Sequence, residues 1–169
     1  MGDRGGGGGD DFDGAFRDLF TPAFRVAYRI LGNVEDAEDA AAEALGRALL
    51  KWRRIGHLPY RDAWVMRVAS NVAIDMARKR RRPPVMDELV EDEVDTTVLR
   101  VALTAALAAL SSRQREVVSL RYVAGLSESE VATCLGISVN SVKKHMTRGT
   151  TSLRQRLGGE WKEAEFVAD

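Results

Sequence analysis

Five consecutive cations, Arg78, Lys79, Arg80, Arg81 and Arg82, run directly into Pro83 and Pro84. A proline lacks the amide hydrogen a helix interior needs, and its ring collides with the preceding turn. Two in succession end any helix that reaches them. Beyond them the chain changes sign. Asp87, Glu88, Glu91, Asp92, Glu93 and Asp95 crowd into 86–97 with few apolar anchors between them. This stretch reads as an acidic linker over 83–97, a solubilising spacer whose charge lets it lie near the arginine run when no other polyanion is present. The chain therefore divides into two blocks.

Both blocks carry helical periodicity. In the first, Phe12, Phe16, Leu19 and Phe20 share a face. Thr21 and Pro22 suit an N-cap and first helical position, opening a second stretch or a kinked continuation with Phe24, Ala27, Tyr28 and Leu31, closed by Gly32. Asn33 caps a helix over 34–54 whose stripe is Ala37, Ala41, Ala44, Leu45, Ala48, Leu49 and Trp52. That helix is acidic early and basic late, as the macrodipole favours. A loop with Gly56 follows, then a long helix over 60–79 with Trp64, Val65, Val68, Val72 and Met76 inward.

The second block offers Leu99, Ala102, Leu103, Ala106 and Leu110, a capping pair Ser111 and Gln114, and then Val117, Val118 and Leu120. No period-two run is long enough to demand a sheet. The expected fold is all-α: two small helical domains, 12–82 and 98–157, joined by the acidic linker, the second with a helix-turn-helix. The glycine-rich start, 1–11, is expected to be disordered. The tail, 158–169, with Trp161 and Phe166, has no assigned role.

The helix-turn-helix rests on consecutive signals. Ser127 and Glu130 form a capping box before Val131, Ala132 and Leu135. Gly136 can take the left-handed backbone of a tight turn, and Ser138 caps a new helix. There Val139, Val142, Met146, Leu153 and Leu157 are expected to face inward. Asn140, Ser141, Lys143, Lys144, Thr147 and Arg148 remain outside. From Ser138 to Arg156 there are five Lys or Arg and no Asp or Glu. A helix of one charge sign fits a phosphate backbone, which it neutralises with release of counterions. Near the helix start Asn140, Ser141 and Lys144 suit base edges, whereas Lys143, Arg148 and Arg154 suit phosphates. Gly149 is expected to loosen the end of this helix.

Lys and Arg together number 25, matched by 25 Asp and Glu, so only the distribution of charge argues for nucleic acid. From Ala44 to Met86 eleven cations face two acids, Asp62 and Asp75. The loop between the tryptophan-bearing helices mixes Arg53, Arg54, His57, Tyr60 and Arg61. Tyr60 offers a ring on which an unpaired base can stack. Asn71, Asp75 and Arg78 recur on one helix face, and Asn71 carries a donor and an acceptor for a base edge. The plainer readings are Trp52 and Trp64 as core anchors, Asp75 paired with Arg78 or Lys79, and His57 as an ordinary loop residue.

Other functions find little support. The single cysteine, Cys134, forbids an intramolecular disulfide and reads as a core thiol. No segment resembles a secretory signal or a membrane span, so a soluble cytoplasmic protein without membrane insertion is expected. There is no metal-ligand spacing, no phosphate-cradling loop and no nucleophile with its base. The chain is not expected to be an enzyme or to need a cofactor.

The two blocks together resemble a small sigma factor of the extracytoplasmic-function (ECF) type. In 12–82 the resemblance rests on Phe12-Asp13 with Phe16 and Leu19, Leu31-Gly32-Asn33 and Asp36-Ala37-Glu38-Asp39-Ala40. It continues through Glu43, Arg47, Ala48, Trp52, Trp64, Val68-Ala69, Asn71 and Asp75. This part is similar to the family's region 2. In 103–157 the cues are Gln114-Arg115-Glu116-Val117, Tyr122, Gly125-Leu126-Ser127, Val131-Ala132, Leu135-Gly136-Ile137-Ser138 and Val142-Lys143, similar to region 4. The resemblance implies a promoter-specificity subunit that binds core RNA polymerase, recognises −35 and −10 elements and promotes strand opening. It implies polymerase contacts at Asp39, Glu43, Arg47 and Lys51. It implies −10 contacts at Arg53, Arg54, His57, Tyr60, Arg61, Asn71, Asp75, Arg78 and Arg81, and −35 contacts along the helix after Ser138. An anti-sigma factor is a further expected partner. The family usually has a bulkier residue and a glutamine before the position of Glu43, where Ala40, Ala41 and Ala42 stand here. A stand-alone helix-turn-helix regulator and a non-initiating polymerase-binding adaptor are the alternatives.

Overall fold

The computed structural model describes residues 9–79 and 91–158. It is all-α in two helical regions. The first comprises α1 (Gly9–Leu31), α2 (Val34–Leu50), a single turn α3 (Trp52–Ile55) and α4 (Arg61–Lys79). The second comprises α5 (Glu91–Ala108), α6 (Ser112–Val118) running into a π-helical turn (Ser119–Val123), α7 (Glu128–Leu135) and α8 (Val139–Leu157).

The first region packs α1, α2 and α4 against one another. Alanines allow the close approach: Ala23, Ala27, Ala37, Ala40, Ala41, Ala44 and Ala48 are fully buried. Ala40 and Ala41, two of the three alanines noted before Glu43, are therefore core residues; Ala42 alone is on the surface. Asn33 caps α2 by accepting the Asp36 backbone N–H at 2.9 Å. Trp52 and Trp64 are buried, with the Phe12 ring edge-on to Trp52 at 4.9 Å.

Several boundaries depart from the sequence reading. Gly9 to Asp11 belong to α1, and Pro22 lies inside that continuous helix; residues 1–8 are outside the described residues. Proline removes one amide donor but leaves flanking bonds and the buried face intact. α5 begins at Glu91, within the stretch expected to be linker. A start rich in Glu and Asp suits the positive end of the macrodipole, which favours a helix where the sequence offers few apolar anchors. Residues 80–90, with Arg81, lie outside the described residues, as does the tail from 159.

Three expected core positions are also corrected. Phe16 is 40% exposed, Leu49 is 49% exposed and Val139 is 39% exposed. Phe16 instead joins a ladder along the outside of α1, with the Phe16, Phe20, Phe24 and Tyr28 rings stacked at 5.8, 6.3 and 5.9 Å between successive centroids.

Gly149 does not loosen α8. It is buried where α8 crosses α6, and a Cβ added there would stand 2.7 Å from a methyl of Val118, itself 2% exposed. The usual gain of about 1 kcal/mol for replacing a mid-helix glycine by alanine is then outweighed by the cost of overpacking, typically ~1–3 kcal/mol. Gly149→Ala is expected to lower the urea midpoint of unfolding without changing the slope; a raised midpoint would show that α6 and α8 do not touch this closely.

Candidate nucleic-acid interface

The second region presents one surface built by caps. Ser127 accepts the Glu130 backbone N–H at 3.3 Å, and the Glu130 carboxylate accepts the Ser127 N–H at 2.8 Å. Both halves of the expected capping box are present. α7 ends at Gly136, whose φ of +63° is the left-handed conformation that an L side chain resists. The Ile137 N–H returns to the Ala132 carbonyl at 3.0 Å and closes the turn. Ser138 then caps α8 by accepting the Ser141 N–H at 3.1 Å. A tight glycine turn thus fixes the angle between α7 and α8.

On α8, Asn140, Lys143, Lys144, Thr147 and Arg148 are exposed, with Val142 and Leu153 buried behind them. Ser141 is half-buried, and its hydroxyl lies 2.9 Å from that of Ser138, so it serves the cap. Lys143 reaches back to Glu128 on α7, 3.8 Å away. Burial pushes the Cys134 thiol up to about 11, so it stays protonated at neutral pH, as befits a core thiol.

In the first region, α2 and α4 diverge to leave an open groove of about 280 Å³. Arg47, Leu50 and Lys51 line one side; Trp64, Arg67, Val68 and Asn71 line the other. The Lys51 ammonium stands 5.7 Å from the centre of the Trp64 ring. Arg47 is held by Glu43 one turn earlier. Asp39, Glu43, Arg47 and Lys51, expected as exposed contacts, do not lie along one line of the helix. Each step of four residues overshoots a full helical turn by about 40°, so three steps rotate the stripe by about 120°. All four are exposed, but Arg47 and Lys51 share the groove with Asn71.

The loop residues separate. Arg53, Arg54 and His57 are exposed. Arg61 turns inward, donating to the Gly56 carbonyl at 2.9 Å and lying 5.9 Å from the Trp52 ring centre. Tyr60 is half-buried against the second region. Asp75 and Arg78 pair at 3.5 Å. Arg67 was missed, although it precedes Asn71 by one turn on the same face of α4. Among the described residues no group of three or more His, Cys, Asp or Glu could hold a metal, and no helix is long and apolar enough to cross a membrane.

The sigma-70 region 2 family matches residues 16–83, and the sigma-70 region 4 family matches residues 100–153. The chain belongs to the ECF sigma factors of the sigma-70 superfamily. It is 30% identical over 153 residues to the ECF RNA polymerase sigma factor SigW of Bacillus subtilis, covering 79% of this chain and 82% of that one. It is 34% identical over 145 residues to SigL of Mycobacterium tuberculosis, covering 79% and 81%. Among solved structures it is similar in fold to CnrH in complex with the cytosolic domain of CnrY, with a TM-score of 0.60 at 23% identity, covering 92% of each chain. It is similar also to the sigma factor RpoE bound to the anti-sigma factor NepR from Bartonella quintana, with a TM-score of 0.54 at 20% identity, covering 90% of this chain and 99% of that one. As a sigma factor it binds core RNA polymerase and promoter DNA for transcription initiation, and it is not itself catalytic.

The capping box adds a pH dependence to the sigma factor's second region. Ser127's hydroxyl and backbone N–H hold the Glu130 carboxyl below its ordinary value. A depressed carboxyl contributes stability that is present above the unfolded pKa and is lost as pH falls through the folded one. Glu130→Gln is therefore expected to lower thermal stability at neutral pH. The difference from the native chain should shrink as the solution is acidified below the ordinary glutamate range. A constant difference across that range would show that the box does not form.

Proposed function

We propose that α7, the Gly136 turn and α8 form a helix-turn-helix that reads the −35 element in duplex DNA, while the groove between α2 and α4 holds one separated strand of the −10 element. The observation that carries the second half is the groove itself: three cations and Asn71 arranged around the edge of an indole. Arg47, Lys51 and Arg67 suit consecutive phosphates, which guanidinium and ammonium groups bind without regard to sequence. Asn71 can donate to and accept from one base edge, and the ring supplies an apolar wall for an unstacked base. Arg53, Arg54, His57 and Arg78 extend this basic surface along the loop and the end of α4.

At the upstream element Asn140 and Lys144 are the base readers, and Lys143, Thr147 and Arg148 are the phosphate contacts. Ser141 holds the helix start in place. Asp39 and Glu43, at the other end of the α2 stripe, are the contacts to polymerase. An anti-sigma factor is a further partner, supported by the fold's likeness to a sigma factor solved with an anti-sigma factor. Strand opening follows from holding a strand in the unpaired state: the stacking given up is offset by contacts that exist only once the bases separate. RNA synthesis stays with the polymerase. The acidic stretch over 83–97, four of whose carboxylates open α5, would take a nucleic-acid path on the enzyme.

Adding the chain to core polymerase with a promoter library and mapping RNA starts tests the whole reading. New starts are expected to share two spaced elements. Asn140→Ala with Lys144→Ala should relax the upstream preference by about 1–3 kcal/mol for each base no longer read. Asn71→Ala should relax only the downstream one. An upstream preference unchanged in the double variant would remove α8 as the reader.

A further inference from the structure

The groove between α2 and α4 joins positive and apolar surface in one place. Leu50 stands on its rim 87% exposed. A single exposed leucine is ordinary, but this one adjoins Trp64 and Val68 at the mouth of a groove lined by cations. Glu43 holds Arg47, and Glu116 meets Arg67 at 3.8 Å. Lys51 faces the Trp64 ring instead, and among the described residues no carboxylate pairs with it. An occupant that fits this groove is acidic and apolar at once. A separated DNA strand meets that description in the promoter complex. In the free chain a second candidate is covalently attached.

Residues 159–169 follow α8 directly. They contain Glu160, Glu163, Glu165 and Asp169 against one cation, Lys162, together with Trp161, Phe166 and Val167. The groove is within their reach. Leu153 of α8 is a member of the first region's core, and Leu157 packs against it, so the end of α8 is held to that region. A Cβ on Gly149 would stand 3.6 Å from that of Gln114. Two residues beyond Gln114, Glu116 touches the groove through Arg67. The whole route from Gly158 back to Arg67 is about 30 Å, and a straight line is shorter. Eleven residues extend to roughly 36 Å.

Other surfaces fit the segment less well. The outside of α8 offers Lys143, Lys144 and Arg148 but no apolar wall. The ring ladder on α1 offers apolar edges, yet Asp13 and Asp18 are exposed beside it along with Arg17 and Arg25. Among these surfaces only the groove supplies both halves of what the segment carries.

We propose that residues 159–169 lie in the α2–α4 groove of the free sigma factor and are displaced by the promoter strand. Phe166 and Val167 rest against Leu50 and Trp64, and the carboxylates meet Lys51, Arg47 and Arg67. Displacement by a strand rests on the strand-holding role proposed above for the same groove. A segment tethered so closely acts at an effective concentration on the order of 1 mM. A contact as weak as about 0.1 mM then fills the groove roughly nine-tenths of the time and weakens strand binding about tenfold.

The test uses the full chain with Cys134→Ser and a nitroxide at Gly46→Cys. That position is exposed, one turn before Leu50, and a side chain there meets open space. In NMR spectra the backbone amides of 163–168 are expected to lose most of their intensity through this label and to regain it when the label is reduced. Nitroxides at Arg17→Cys, beside the ladder, and at Thr147→Cys, outside α8, should broaden them less; both positions are exposed. Phe166→Ser with Val167→Ser keeps the charge of the chain and removes the apolar anchor. It should free those amides from the Gly46 label and bind a short single-stranded DNA of mixed sequence about tenfold more tightly than the parent. Amides untouched by the Gly46 label, or broadened more from either other site, would overturn the proposal. Equal DNA affinity in a variant whose amides are freed would overturn the displacement. If neither chain bound the DNA, the strand-holding role of the groove would fall, while the labels still decide where 159–169 lie.

Discussion

The dual duty of α4 governs this structure. Along most of its length Trp64, Val65, Val68, Val72 and Ile74 anchor it in the first core, whereas Ala63 near its start is a member of the second. Because an α-helix is stiff, these two commitments fix each other. The same helix carries Asn71 and Arg67 into the groove and Asp75 and Arg78 beyond it. What holds the first region together therefore also presents the groups proposed to meet DNA and determines which of them the second region can cover.

Charge placement follows from the same geometry. The chain is neutral overall, yet cations gather on two surfaces, the α2–α4 groove and the outside of α8, while carboxylates serve caps, ion pairs and the start of α5. Glu43 holds Arg47, Glu128 meets Lys143, Glu116 meets Arg67, and Asp75 meets Arg78. The exposed pairs among these, Glu43–Arg47 and Asp75–Arg78, are individually weak, so a phosphate can compete for those cations at small cost. In the free protein these cations are partly neutralised by their carboxylate partners.

Local chemistry made much of this legible from the amino acids. Ser127 with Glu130, Gly136 and Ser138 specify a helix, a left-handed turn and a second helix within a dozen residues, and the caps formed as expected. Asn33 did the same for α2. Tertiary choices were harder to read. Periodicity placed Phe16 and Val139 inside because it cannot tell a core face from its margin. Gly149 looked like a weakness because the Val118 methyl beside it lies thirty-one residues away. Tyr60 looked free because nothing local reveals that α7 lies across it, and Arg67 was passed over because its value depends on Lys51 and Arg47 from another helix. The family resemblance was visible early because its cues are local, whereas the packing of the second region onto the first was not.

In the function proposed above, one unit positions duplex DNA and the other keeps a strand from re-pairing. Permanganate oxidation of unpaired thymines in the −10 element reports that second act directly. With core polymerase and a promoter, the native chain is expected to give reactive thymines in that element. A chain carrying Arg67→Ala and Asn71→Ala should still bind polymerase and protect the −35 element but leave those thymines unreactive. Equal reactivity with both chains would contradict the account, because the groove between α2 and α4 would then play no part in holding the strand.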